Sequence, residues 1–391
     1  MNDAPGLSRR HLLRTGGRVV TGAALLGLAG TGAARSLASA LPNDSGPLGR
    51  PLRIGYLPIT DASALLTAYE SGRLHKAGVT AERPILFRSW DAMAQALTTD
   101  QIDVVHMLMP MALQLRLGKG APVKVTGWGH TNGSALIAAP HLSDPAQLAG
   151  KKVAIPFWWS IQNIVLQQIL AKSGLRAVVG PASASEKTVE VMVMAPSDMV
   201  PALQNGSIAA FVAADPFPAL AEATGAGKVL RFLGDVWKDH ACCAITVREE
   251  LTTKAPDLVQ RITDTVVSSQ TWLEEHRGSA AAMLSPTGYL PQPLPAINKV
   301  FNRVGADYSR VLKHPDWHGE RLNFAGFPAQ SYTEALVHYM GRTTVDGNTN
   351  FLNGLTGQEA HSELVDNSFV TSTLKRVGLP VIDQRKELIL P

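Results

Sequence analysis

The densest chemical cluster in this 391-residue chain is Pro156-Phe157-Trp158-Trp159-Ser160-Ile161-Gln162-Asn163. Three aromatics lead straight into Ser, Gln and Asn, so flat apolar walls and neutral hydrogen-bonding groups arrive together, as a small-molecule pocket requires. Burial of all three rings in a core is the competing reading, but consecutive residues point in different directions, so one ring is expected to face a cleft. Thr60 and Asp61, with Ser63, follow an apolar run and are placed to cap the next helix, leaving N–H groups for an anion or carbonyl. Trp90 stands at a second such junction, as core or as a stacking surface. His106-Met107-Leu108-Met109 supplies one imidazole and two soft thioethers. The carboxylate of Asp215, ahead of Pro216 and Phe217, can bind a cation, pair across a cleft or cap a helix.

Cys242 and Cys243 are the only cysteines and are adjacent. From the sequence, that arrangement is expected to exclude both a disulfide framework and a Cys-based zinc site. It leaves a vicinal disulfide, a nucleophile, or two small apolar residues in a strand. No second His or carboxylate lies near His106 at metal-ligand spacing, so no metal and no cofactor is expected. A GxSxG elbow, P-loop, HExxH or GxGxxG after a strand is absent.

These residues sit on a repeating scaffold. Short apolar runs at 52–57, 84–87 and 102–107 alternate with helical patterns at 62–75 and 91–99, the signature of βαβ units and a parallel sheet. Runs at 123–128 and 134–139 add two strands. After the break at 141–145 the pattern restarts with strands at 152–155, 189–194 and 208–213, and helices at 161–172 and 198–204. Ser160 is placed to cap one of those helices and Ser197 the other. Further strands fall at 229–233 and 244–247, the longest helix at 256–276, and another helix at 330–342. Ligands of open α/β sheets bind beyond the carboxyl ends of strands, and each residue singled out above lies at such a junction.

Ser8-Arg9-Arg10-His11-Leu12-Leu13-Arg14 precedes an uncharged stretch, 19–30, and Ala38-Ser39-Ala40. Paired arginines before a modest apolar segment form a twin-arginine export address, so residues 1–40 are expected to be removed. The apolar stretch is too short to span a bilayer, which needs about 20 residues. The remainder is enough for two lobes. Net charge is +4, but five arginines and one acid fall within residues 1–40, so the remainder is near neutral. Nothing there forms the basic stripe that nucleic-acid binding needs.

In order and spacing, Ile54-Gly55-Tyr56-Leu57-Pro58-Ile59-Thr60-Asp61, Ser89-Trp90, 102–111, 148–154, Ser160-Ile161-Gln162-Asn163 and Asp215-Pro216-Phe217 resemble the solute-binding proteins of ABC importers, in the nitrate, bicarbonate and sulfonate group. The resemblance runs from about residue 52 to 275, with a fainter continuation over 324–342. It implies an α/β, two-lobed periplasmic-binding-protein-like fold of type II, each lobe a mostly parallel sheet flanked by helices. Lobe 1 would hold 49–140 and about 240–300, lobe 2 would hold 141–239, and 301–391 would be a mostly helical extension packed on both. Carried over by position, Thr60, Asp61, Trp90, His106, Met107, Met109, Phe157, Trp158, Trp159, Ser160, Gln162, Asn163, Asp215 and Phe217 would line a cleft that closes on a small ligand.

By the same resemblance the protein would work in the periplasm or on the outer face of the cytoplasmic membrane, after passage through the twin-arginine translocase. It would hand its ligand to an ABC permease and ATPase, without catalysis. Nitrate-binding relatives carry Ser-Ile/Met-His-Asn and Glu-Pro-Trp where this chain has Ser160-Ile161-Gln162-Asn163 and Asp215-Pro216-Phe217. Loss of the His and the bulk of Trp158 and Trp159 point to a larger ligand, a sulfonate or a flat heteroaromatic, beside nitrate and bicarbonate. The alternative is an enzyme on the same fold, with desulfinase-like or pyrimidine-precursor chemistry, using Cys242, Cys243 or His106.

Overall fold

The computed structural model describes residues 48–285, 288–302 and 308–391; the twin-arginine segment lies outside them. Ser45–Pro391 forms one compact unit. Its first sheet, in the order β2-β1-β3-β12-β4, is built from β1 (Ile54–Tyr56), β2 (Ile85–Leu86), β3 (Val104–Leu108), β4 (Val123–Trp128) and β12 (Cys243–Arg248). The second, β11-β6-β10-β7-β9-β8, holds β6 (Ser134–Ala138), β7 (Lys152–Ile155), β8 (Arg176–Val178), β9 (Thr188–Val193), β10 (Ala210–Ala214) and β11 (Lys228–Phe232). β5 (Thr131–Asn132) pairs with β13 (Leu322–Asn323).

Each sheet contains one reversed strand, and in each it is the strand by which the chain enters from the other lobe. β12 runs antiparallel to both β3 and β4, and β6 antiparallel to both β10 and β11. The chain therefore crosses between lobes twice, through residues 129–133 and 233–242. These crossovers correct one boundary of the sequence reading. β6 belongs to the second sheet, so the strands of the first lobe's leading segment end at Trp128 and not near 140; the backbone hydrogen bonds of β6 are used by β10 and β11.

The helices follow from apolar spacing and local caps. Ser160 adopts extended backbone and accepts from Asn163 N–H at 3.1 Å, starting α4 (Ile161–Lys172) after α1 (Ser63–Glu70), α2 (Trp90–Thr98) and α3 (Met109–Leu113). Ser197 is not a cap, because α5 (Pro196–Gln204) already begins at Pro196. α6 (Phe217–Ala223) follows β10, and α7 (Pro256–Glu275) buries Leu258, Ile262, Val266 and Leu273. The chain after 301 adds α8 (Gln330–Met340), α9 (Gly357–Leu364) and α10 (Ser368–Val377). This part is woven into the crossovers. Leu390 N–H bonds Val236 C=O at 2.6 Å, and the Tyr332 hydroxyl donates to Ala241 C=O at 2.5 Å.

Candidate functional site

Where the two lobes meet, the turn after β1 and the turn after β10 are joined directly. Thr60 donates to the Asp215 carbonyl twice, through its N–H and its hydroxyl, each at 2.9 Å. Thr60, Asp61 and Ser63 do not cap α1 with their side chains; Ser63 Oγ instead donates back to Thr60 C=O at 2.6 Å. That leaves the Asp61 carboxylate, fully buried, aimed at the first crossover.

There it meets His130, whose Nε2 lies 3.0 Å from Asp61 Oδ2, an ion-pair distance without the alignment of a straight hydrogen bond. The turn after His130 needs left-handed backbone at Asn132 (φ +62°) and Gly133 (φ +86°). A Cβ on Gly133 would stand 3.1 Å from the His130 ring, so glycine also makes room for the imidazole. The second crossover brings Cys242 and Cys243. Cys243 Sγ is 3.5 Å from Asp61 Oδ2 and 3.9 Å from Cys242 Sγ, and Cys242 Sγ accepts from Gln162 Nε2 at 3.2 Å. Gln162 belongs to the second lobe and donates also to Ser134 Oγ at 3.0 Å.

Burial disfavours every charge here, and what remains charged is decided by partners. At His130, burial works to lower the pKa, but the Asp61 charge outweighs it and lifts the imidazole to about 10. Burial alone would raise Asp61, yet the His130 charge and the hydrogen bonds of the cluster hold it below its ordinary value. His106 lacks such a partner, and burial drops it to about 4; His240 falls to about 4 for the same reason. Burial pushes the Cys243 thiol well up. His106 Nε2 accepts from Leu57 N–H at 3.0 Å, which places the proton of the neutral ring on Nδ1.

Several buried polar atoms of this cluster have no aligned hydrogen-bond partner: His106 Nδ1, Trp90 Nε1, Asp61 Oδ1, Gln162 Oε1 and both ring nitrogens of His130, of which Nε2 keeps only its ion-pair contact with Asp61. Trp90 packs edge-on against His106, with ring centroids 5.6 Å apart. Buried polar atoms left unpaired are costly, on the order of 1–3 kcal/mol each.

The other candidate residues are placed differently. The Asp215 carboxylate is held in a two-pronged ion pair with Arg321 at 3.1 and 2.9 Å and accepts from Ala219 N–H at 3.2 Å. Its carboxylate is thereby occupied. Trp159 is 2% exposed and packs edge-on against Phe351 at 5.5 Å, so it is a core residue. Phe157 and Phe217 are buried, and Trp158 is partly exposed. Met107 and Met109 are buried in the first lobe, where Met109 N–H bonds Cys242 C=O at 3.0 Å. Asn163 Nδ2 donates to Trp158 C=O at 2.9 Å and to Thr344 C=O at 3.3 Å, which fixes it structurally.

Sequence reasoning missed His130 and Arg321. Neither stands in a local pattern; each acts on a residue more than 60 positions away. The left-handed Asn132-Gly133 turn was the one local signal that His130 sits at a special place.

Residues 45–285 match the NMT1-like family. The nitrate/nitrite binding protein NrtA of Nostoc sp. (strain PCC 7120) is 22% identical over 244 residues, 57% of this chain and 54% of that protein. The match thus spans about half that relative's length. Among solved structures, the periplasmic nitrate-binding protein NrtA from Synechocystis PCC 6803 superposes with a TM-score of 0.70 at 18% identity, covering 84% of this chain and 89% of that one. The ligand-binding component of an ABC-type import system from Staphylococcus aureus, solved with zinc bound, gives 0.66 at 19%, covering 82% and 98%. These likenesses establish the two-lobed periplasmic-binding-protein fold that the strand order shows. With the family match over most of its βα framework, the chain belongs to the NMT1-like family.

Proposed function

We propose that this protein is the exported, non-catalytic solute-binding component of an ABC importer, closing its lobes on one small organic solute. The observation that carries the reading is the set of unpartnered buried polar atoms contributed by both lobes, His106 and Trp90 from the first and Gln162 from the second. Closure needs contacts that exist only in the closed state, and the Thr60 to Asp215 bonds together with this set supply them. Export is supported by the leading arginine pair, and among the described residues no helix is long and apolar enough to cross a membrane. An ABC permease and ATPase are the partners this assignment requires.

Chemistry narrows the solute. Trp90 Nε1–H and the His106 Nδ1–H are donors, whereas Asp61 Oδ1 and Gln162 Oε1 are acceptors. A bare oxyanion uses donors alone. A ligand with both donors and acceptors on a flat frame, a heteroaromatic compound or an amino-substituted sulfonate, uses both. Thiol catalysis is disfavoured, because burial keeps Cys243 protonated and a thiol is a poor nucleophile.

The test is a thermal-shift screen of residues 41–391 against heteroaromatics, sulfonates, nitrate and bicarbonate, with product analysis of each hit. A ligand at about 100 times its dissociation constant adds about 2.7 kcal/mol of stability. A heteroaromatic or aminosulfonate hit recovered unchanged supports the reading; a hit that is consumed makes the protein an enzyme and overturns it.

A further inference from the structure

We infer that Asp61, His130, Cys242 and Cys243 form a buried tetrahedral site for one thiophilic divalent cation of the zinc class, at the junction of the two crossovers. One ligand atom from each of the four, a carboxylate oxygen, an imidazole nitrogen and two sulfurs, lies within 4.8 Å of all the others. Such an assortment is a borderline-soft donor set, matched to Zn²⁺ and not to Mg²⁺ or Ca²⁺, which take oxygen.

The distances agree with a common centre. With metal–sulfur bonds of about 2.3 Å and metal–nitrogen or metal–oxygen bonds of about 2.1 Å, a tetrahedron has edges of about 3.8 Å between sulfurs, about 3.6 Å between sulfur and oxygen, and about 3.4 Å between nitrogen and oxygen. The corresponding separations are 3.9 Å between Cys242 and Cys243, 3.5 Å between Cys243 and Asp61, and 3.0 Å between His130 and Asp61. Of these three edges only the last must open, by a few tenths of an ångström; the other three edges of the tetrahedron lie within 4.8 Å.

An independent observation points the same way. His130 is fully buried, yet neither ring nitrogen has an aligned hydrogen-bond partner, and Asp61 Oδ1 has none either. A cation at the centre gives the imidazole an acceptor for its lone pair. Around the set stands a supporting group that metal sites use: Gln162 donates an amide N–H to Cys242 Sγ, as befits a thiolate. Binding releases the two thiol protons and the proton of the His130 imidazolium to solvent, and forms metal–sulfur and metal–nitrogen bonds with no change of oxidation state.

Because all four positions come from the chain, coordination is closed, and the cation would tie the turn after β1 to both crossovers. The inference does not rest on which solute is bound, although Asp61 belongs to both readings. Its readout is spectroscopic, so it fails or survives independently of the solute screen.

The experiment uses the full chain, purified without added chelator, and Co²⁺ as the probe. Protein isolated without reductant is first denatured and its thiols counted. A second, folded portion is reduced, freed of metal and titrated with Co²⁺, followed by Zn²⁺. The expected result is two free thiols, one equivalent of Co²⁺ with sulfur-to-cobalt charge-transfer absorption and the intense visible bands of a tetrahedral site, and their loss as Zn²⁺ displaces it. Zn²⁺ should raise the melting midpoint of wild type and not that of Cys242→Ser/Cys243→Ser. His130→Gln should retain the thiolate absorption with affinity lowered at least tenfold, which covers the case of a double variant that does not fold. A thiol count of zero, folded reduced protein that takes up no Co²⁺, a spectrum without the charge-transfer band, or unchanged Co²⁺ affinity in His130→Gln would each overturn the site.

Discussion

Arg321→Met isolates the buried carboxylate of Asp215. Both side chains of the pair are 1% exposed. Glu222 also touches Arg321, at 3.1 Å, but it keeps Lys299 at 3.3 Å and the Tyr308 hydroxyl at 2.5 Å, so the loss falls on Asp215. Removing one partner of a buried pair costs about 3–5 kcal/mol, because the remaining charge has neither water nor counter-ion. Burial already holds the Asp215 carboxyl above its ordinary value of 3.8 with Arg321 in place, and without it the value goes higher still.

The sign of the pH effect follows from that direction. A carboxyl whose folded value is raised contributes its stability below its unfolded value, and loses it as pH climbs through the folded one. The penalty of Arg321→Met should therefore grow from pH 5 to pH 8. Urea unfolding at the two pH values reads it as a fall in midpoint at constant slope. Arg321→Met/Asp215→Asn should recover most of the loss, since no buried charge is left. A loss below about 1 kcal/mol, or one that is the same at both pH values, would refute the assignment of this pair as the clasp between β10 and the chain around 321.

Three further outcomes are expected. Asp103, buried between Arg50, Arg53 and Arg248, is pulled below its ordinary 3.8 by those arginines against the effect of burial. Asp103→Asn should cost about 1–3 kcal/mol at pH 7, since Arg50 and Arg53 keep access to water. Because the folded value is depressed, that stability is present above 3.8 and fades as pH falls through the folded value; denaturant midpoints at pH 7 and pH 3 check it. Trp159→Ala should cost about 3–5 kcal/mol by calorimetry or urea, through the cavity it opens beside Phe351. Gln162→Leu removes the second lobe's donor and acceptor and should weaken the screened ligand at least tenfold by isothermal titration, with the fold intact by circular dichroism.

Much of the framework was legible from local pattern. Ser160 starts its helix because an extended Ser before an apolar period is a cap in any context. The runs at 123–128 and 152–155 form strands within a residue of where alternation and apolar length place them. The edge strand β8 was missed because three residues, one of them exposed, carry no period. β6 was read as a strand but placed in the wrong lobe, since its own sequence does not say which neighbours take its hydrogen bonds.

The site divides in the same way. Asp61, Trp90, His106 and Gln162 were singled out because they stand at strand ends or helix starts, positions the chain's own pattern reveals. Asp215 was also found there, yet a guanidinium 106 residues onward occupies it. Cys242 and Cys243 were visible as a pair, but not what they face. Sequence by itself determined the βα repeat, the Ser160 cap and the junctions, because hydrophobic period and local capping there are settled within a few residues. Only the tertiary structure decided which charges are neutralised and which donors converge, because Asp61, His130 and Cys243 meet through two crossovers whose path depends on how whole sheets pair.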